Sequence, residues 1–118
     1  MAREPSFTIG IEEEYFIVDR ETRDLVRDMP DGLLAACDEI TEGMVSPEFI
    51  RSQIEVGTPV SGSVKEVRAN LAQLRTDVAN VVSEYGLAII SASTHPFAAW
   101  DEQLHTDQTR YNTVADAL

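Results

Sequence analysis

The feature that most constrains the fold is one amphipathic stretch from Val64 to Tyr85. Val64, Val67, Leu71, Leu74, Val78 and Val82 recur at helical spacing and form a single apolar stripe. Ser63 with Glu66 three residues later makes a capping box, in which each side chain satisfies one orphan backbone donor. Gly86 follows Tyr85 where a left-handed C-terminal cap is wanted. A helix with one apolar side needs a surface to lie on, and the rest of the chain must supply it.

Strand patterns do so. Phe7, Ile9 and Ile11 alternate with Thr8, Gly10 and Glu12, which predicts a strand from Phe7 to Val18. The polar run Asp19 to Asp24 reads as a turn, with Leu25 to Met29 returning as a second strand. Pro30-Asp31-Gly32 opens a short helix over Leu33 to Ile40. Cys37 on that helix reads as a small buried hydrophobe, because no histidine lies nearby in sequence to activate it as a nucleophile. Phe49 to Val60 reads as another strand, stopped by Thr58-Pro59. Leu87 to Ser93 is a nearly continuous apolar strand, expected to be buried on both faces or nearly so. Thr94 to Phe97 must be a loop, because proline removes a ladder donor. A last helix begins near Tyr111. With no regular βαβ rhythm, the expected class is α+β: a largely antiparallel sheet with helices on one face.

Composition narrows the partners. The 118 residues fit one domain, and 43% hydrophobic with 25% charged residues marks a globular chain. A formal net charge of -12 argues against a nucleic-acid backbone as partner. It leaves room for a phosphate ligand bound through a divalent cation that an acidic pocket recruits. One cysteine allows no internal disulfide and gives no sign of an oxidising compartment. The longest apolar runs are far short of a signal peptide or a membrane span, so a soluble cytoplasmic location is expected.

Chemistry concentrates in Gly10-Ile11-Glu12-Glu13-Glu14-Tyr15-Phe16, where three carboxylates interrupt a strand-like segment. Alternation puts Glu12 and Glu14 on one face and Glu13 on the other, with Ile9, Ile11 and Tyr15. Glu13 is expected to be exposed or ion-paired. A second embedded acid, Glu55 in Gln53-Ile54-Glu55-Val56-Gly57, would join the pair if the two strands share a sheet. Three clustered carboxylates raise one another's pKa values unless a cation sits among them. The ordinary alternative is a solvated sheet face. His95, before Pro96, reads as a loop stabiliser or a ligand, and His105 as a surface residue. Arg110 beside Tyr111 is a candidate fork for a carboxylate or phosphate, or else a plain surface arginine.

Taken in series, GIEEEYF, QIEVGTPV, the long helix, SASTHPF and RYNTV resemble the amino-terminal part of bacterial carboxylate–amine ligases, similar to glutamate–cysteine ligases of the second type. The blocks match from about Phe7 to Tyr111. The resemblance implies a glutamine-synthetase-like catalytic fold, in which residues 1–118 form an incomplete amino-terminal portion. It implies ATP as co-substrate and Mg2+ held by Glu12, Glu14 and Glu55. The activity implied is joining of a glutamate side-chain carboxylate to an amine through an acyl phosphate. His95 and Arg110 would lie near substrate. Family members are several times longer, so a homo-oligomer or a companion segment of the same enzyme is the expected partner. The rival expectation is a non-catalytic binding or assembly module that kept the sheet.

Overall fold

Parity along one strand organises the molecule. The computed structural model describes residues 2–118, and strand β1 (Glu12–Asp19) runs through its centre. Tyr15 and Ile17 point to one side and are fully buried, while Glu12, Glu14, Phe16 and Val18 point to the other. Around β1 lie helix α1 (Leu33–Ile40), strands β2 (Val45–Pro47) and β3 (Gln53–Gly57), helix α2 (Val64–Glu84), strand β4 (Leu87–Ile90) and helix α3 (Thr109–Asp116). The sheet order is β2-β3-β1-β4, antiparallel throughout. The α+β class with an antiparallel sheet is therefore found as expected.

Helices α1 and α2 cover the Tyr15 face. Leu33, Cys37, Leu74, Val78, Val81 and Val82 pack there against Tyr15, Ile17, Val45, Ile54, Val56 and Leu87. Cys37 is a buried free thiol whose pKa burial pushes up to about 11, the inert behaviour of a structural cysteine. The short α3 lies on the opposite side, where Ala115 shares a cavity wall with Phe16. Among the described residues no helix is long and apolar enough to cross a membrane.

The long helix forms almost as expected. The Glu66 N–H donates to Ser63 Oγ at 3.2 Å, but the Glu66 carboxylate reaches back to the Gly62 N–H, one residue earlier than a standard box. Gly86 takes φ 73° past the helix end. Val64 stands exposed, because a helix's first residue has neighbours on one side only, and Val81 joins the buried stripe instead.

Strand boundaries differ more. β1 starts at Glu12 and not Phe7; the preceding segment holds a single bridge, Ile9 to Ser61. The Ile11 N–H donates to the Thr58 side-chain oxygen at 2.9 Å and not to its carbonyl, and the regular ladder breaks there. The expected strand Leu25 to Met29 shrinks to one bridge between Leu25 and Val18, after which Arg27 Nε donates to the Glu102 carbonyl at 2.9 Å. The strand expected over Phe49 to Val60 is cut by a turn in which the Gln53 N–H donates to the Ile50 carbonyl at 2.9 Å. β4 is a four-residue edge strand with only Leu87 fully buried, since an edge has a neighbour on one side alone.

Candidate functional site

Register brings the acids together. Glu14 sits directly opposite Glu55 across the β1–β3 ladder, and Ser46 sits opposite Glu55 on β2. Glu48 lies two residues beyond Ser46, so strand alternation carries it toward the same face. Carboxylate oxygens of Glu14, Glu48 and Glu55 all fall within 4.8 Å of one another. Glu12 faces Gly57 one pleat away and lines a polar groove of about 420 Å³ with Glu13, Glu14, Glu55 and Ser91 to Ser93. The spacing of Glu12, Glu14 and Glu55 thus places all three on one face, and the tightest oxygen cluster adds Glu48 in place of Glu12.

Glu48 was not singled out from sequence. It precedes the strand expected at Phe49, and its sequence signal is an even spacing from Ser46 on a strand too short to show a pattern. β2 follows a tight reversal with Glu42 at φ 55° and Gly43 at φ 86°. Gly43 after a helix end marks such a reversal in sequence.

The electrostatics fit an oxygen-coordinated cation. Partial burial pushes the Glu55 carboxyl above its ordinary pKa, and the charges of Glu12, Glu48 and Glu14 push it further. A smaller opposing pull comes from the Ser46 hydroxyl. This crowding is unfavourable for four bare carboxylates and is relieved by a hard divalent ion, for which an all-oxygen donor set is suited.

Glu13 takes the ion-paired role on the other face. Arg75 Nε, from α2, donates to its two oxygens at 2.8 and 3.1 Å, and Nη2 donates to Oε2 at 2.6 Å. Beneath the pair lies Tyr15, whose buried hydroxyl has no well-aligned hydrogen-bond partner among the described residues and whose pKa is pushed up to about 12, by burial first and Glu13 second.

His95 is spent on backbone. Its ring Nε2 lies 2.8 Å from the Arg23 carbonyl, and its Nδ1 accepts from the Phe97 and Ala98 N–H groups at 3.3 and 3.1 Å. Those partners fix the tautomer with the proton on Nε2. The ring packs edge-on against Phe16 and Phe97, so His95 pins the 94–98 loop over the sheet. It also lines a largely apolar cavity of about 550 Å³ together with Phe16, Phe49, Trp100 and Leu104. Ser93 borders both this cavity and the acidic groove. Arg110 is exposed on the first turn of α3, with its guanidinium 5.8 Å from the Tyr111 ring centre. His105 stacks on Phe49 and has Nε2 2.9 Å from Asn112 Oδ1.

The family model for glutamate–cysteine ligase family 2 matches residues 8–118. A protein of Jannaschia sp. (strain CCS1) carrying the name "Putative glutamate--cysteine ligase 2" is 53% identical over 112 residues, covering 95% of this chain and 29% of its own length. Proteins of the same name from Paracoccus denitrificans and Rhodospirillum rubrum are each 48% identical, covering 100% and 98% of this chain and 31% of their own length. The chain therefore spans just under a third of the curated relatives that it matches. On the breadth of these matches, the chain belongs to glutamate–cysteine ligase family 2.

Proposed function

We propose that this chain carries the cation-holding sheet of an ATP-dependent carboxylate–amine ligase. Glu14, Glu48 and Glu55 would hold Mg2+, with Glu12 at the mouth of the same groove. The observation that carries this reading is the convergence of the three carboxylates within 4.8 Å, on the sheet face left free by α1 and α2. Family membership supports it, since the relatives are named as ligases of glutamate and cysteine.

When bound, the cation would supply positive charge against the phosphates of ATP, where phosphoryl transfer is mostly positioning and electrostatics. The chain's own residues do the rest. Glu14 and Glu55 face each other across one ladder rung and fix the width of the site. In the reaction proposed, a glutamate side-chain carboxylate takes the terminal phosphoryl group and ADP leaves. The amine nitrogen then attacks the acyl carbon, the amide forms, and phosphate departs as the nitrogen sheds a proton. Arg110 offers a free-standing fork for an anionic group, and the His95 loop shapes the wall beside Ser93. ATP and small amino acids are the proposed partners, in a cytoplasmic setting, with a second copy or a companion segment completing the site.

Isothermal titration of the folded chain with Mg2+, and then with Mg2+ and ATP, tests the reading. Binding is expected for the unsubstituted chain, with a loss of about tenfold or more in Glu14→Gln and in Glu55→Gln. Glu12→Ala is expected to have a smaller effect. Equal affinity across all four proteins would overturn the assignment. The rival reading, a binding or assembly module without chemistry, is favoured by the exposed aromatic surface around Phe97 and Trp100. It predicts a stable complex with a second chain in a protein that binds no cation.

A further inference from the structure

The acid-bearing half of β1 has fewer strand partners than the rest of that strand. Among the described residues, pairing with β4 covers Phe16 to Asp19, whereas Glu12 to Tyr15 have a registered partner only in β3. That half also gathers like charge, since Glu12 and Glu14 face Glu55 with Glu48 close by. Repulsion among these carboxylates acts to push the strand end away from β3, and no second strand opposes it.

Tyr15 ties the inner end of this half to the helical core, and among the described residues an ion pair reaches its acidic end from α2. Arg75 grips Glu13 through a bidentate fork, and the Glu13 side chain is only 13% exposed despite its charge. Glu13 lies between Glu12 and Glu14, so fixing its carboxylate against α2 fixes the two neighbouring side chains on the opposite face. A planar guanidinium sets orientation as well as distance. We infer that the Arg75–Glu13 pair is a positioning device: it fixes the acidic end of β1 against α2 and so sets the spacing of the acids in the groove. The inference rests on the cation-holding reading above. The Glu13 carboxylate is taken by Arg75, and the pair acts through Glu12 and Glu14.

Mn2+ titration of the chain, followed by the spin resonance of the free ion well below the unfolding midpoint, separates this role from simple stability. Arg75→Ala and Glu13→Gln are expected to weaken Mn2+ binding about tenfold. Arg75→Lys, which keeps the charge and loses the fork, is expected to weaken it severalfold. Ser63→Ala loosens the start of the same helix without touching β1 and should leave the affinity unchanged. The inference is overturned if the Arg75 and Glu13 variants bind Mn2+ as the unsubstituted chain does. It is equally overturned if Ser63→Ala weakens binding as much as they do. Should Arg75→Ala fail to fold, unchanged affinity in Arg75→Lys overturns it. No binding by the unsubstituted, folded chain sinks the cation reading itself, and this inference with it.

Discussion

Glu55 gathers the electrostatic consequences of the sheet into one side chain. Burial and the neighbouring charges of Glu12, Glu48 and Glu14 all disfavour its ionised form. Its folded pKa therefore lies above the unfolded one, so the folded state holds more protons through that interval. Stability must fall as pH rises from the ordinary carboxylate range through the raised value of Glu55. In metal-free buffer, Glu55→Gln is expected to unfold at higher urea than the unsubstituted chain at neutral pH. That advantage should vanish once the pH drops below the ordinary carboxylate range, where Glu55 is protonated in both states. Added Mg2+ should reverse the order at neutral pH, because only the carboxylate gains from the cation. Urea midpoints measured at the two pH values, with and without Mg2+, check all three statements. A midpoint for Glu55→Gln that never exceeds that of the unsubstituted chain would contradict the crowding argument.

Among the elements, α2 is the one whose ends and buried side follow most directly from local chemistry. Its cap, its stripe and its terminating glycine act within a turn or two of chain, so neighbours in sequence suffice to form it. Gly86 at φ 73° holds the reversal into β4, a conformation in which a Cβ is unfavourable. Gly86→Ala is expected to cost about 1–2 kcal/mol in urea unfolding. Gly10→Ala serves as the contrast. Its φ is not positive, and an added Cβ would meet Thr58 at an ordinary 3.9 Å. It should be close to neutral, and equal costs at the two positions would contradict the assignment of Gly86 as the cap. Strands obey longer-range rules. β3 is less than half the length that its apolar pattern predicts, because Phe49, Ile50 and Arg51 pair with the segment around Leu104 to Thr106 instead.

At the scale of the whole molecule, the chain is more open than its size requires. Its accessible surface is 8164 Å², against about 6,400 Å² for a typical monomer of this mass. Its radius of gyration is 16.2 Å, against about 13–14 Å for a compact domain of this length. Phe7, Phe97, Trp100 and Leu118 contribute large apolar groups to that surplus. Trp100 is the chain's sole tryptophan and is 86% exposed, which makes it a direct reporter of this surface. In dilute solution its emission is expected to match that of free indole and to shift little on unfolding in urea. A blue shift that grows with protein concentration would show this face being covered by a second copy. A blue shift at every concentration, lost on unfolding, would contradict the open arrangement.

What the sequence determined by itself is whatever depends on period and parity. The bounds of α1 and α2 were legible to within a residue, as was the burial of Cys37. So was the division of Glu12 and Glu14 from Glu13, because successive strand residues alternate in direction wherever the strand is placed. The family was legible from the series of blocks. The tertiary structure decided what depends on register between distant segments. It placed Glu48 beside Glu14 and Glu55 through β2, a three-residue strand too short to show a pattern. It joined Arg75 to Glu13 across 62 residues, and it turned His95 to the Arg23 carbonyl across 72. A carboxylate in a line of sequence carries its charge and its side of the strand. Which other charges it must face is settled only when backbone pairing brings separate strands side by side.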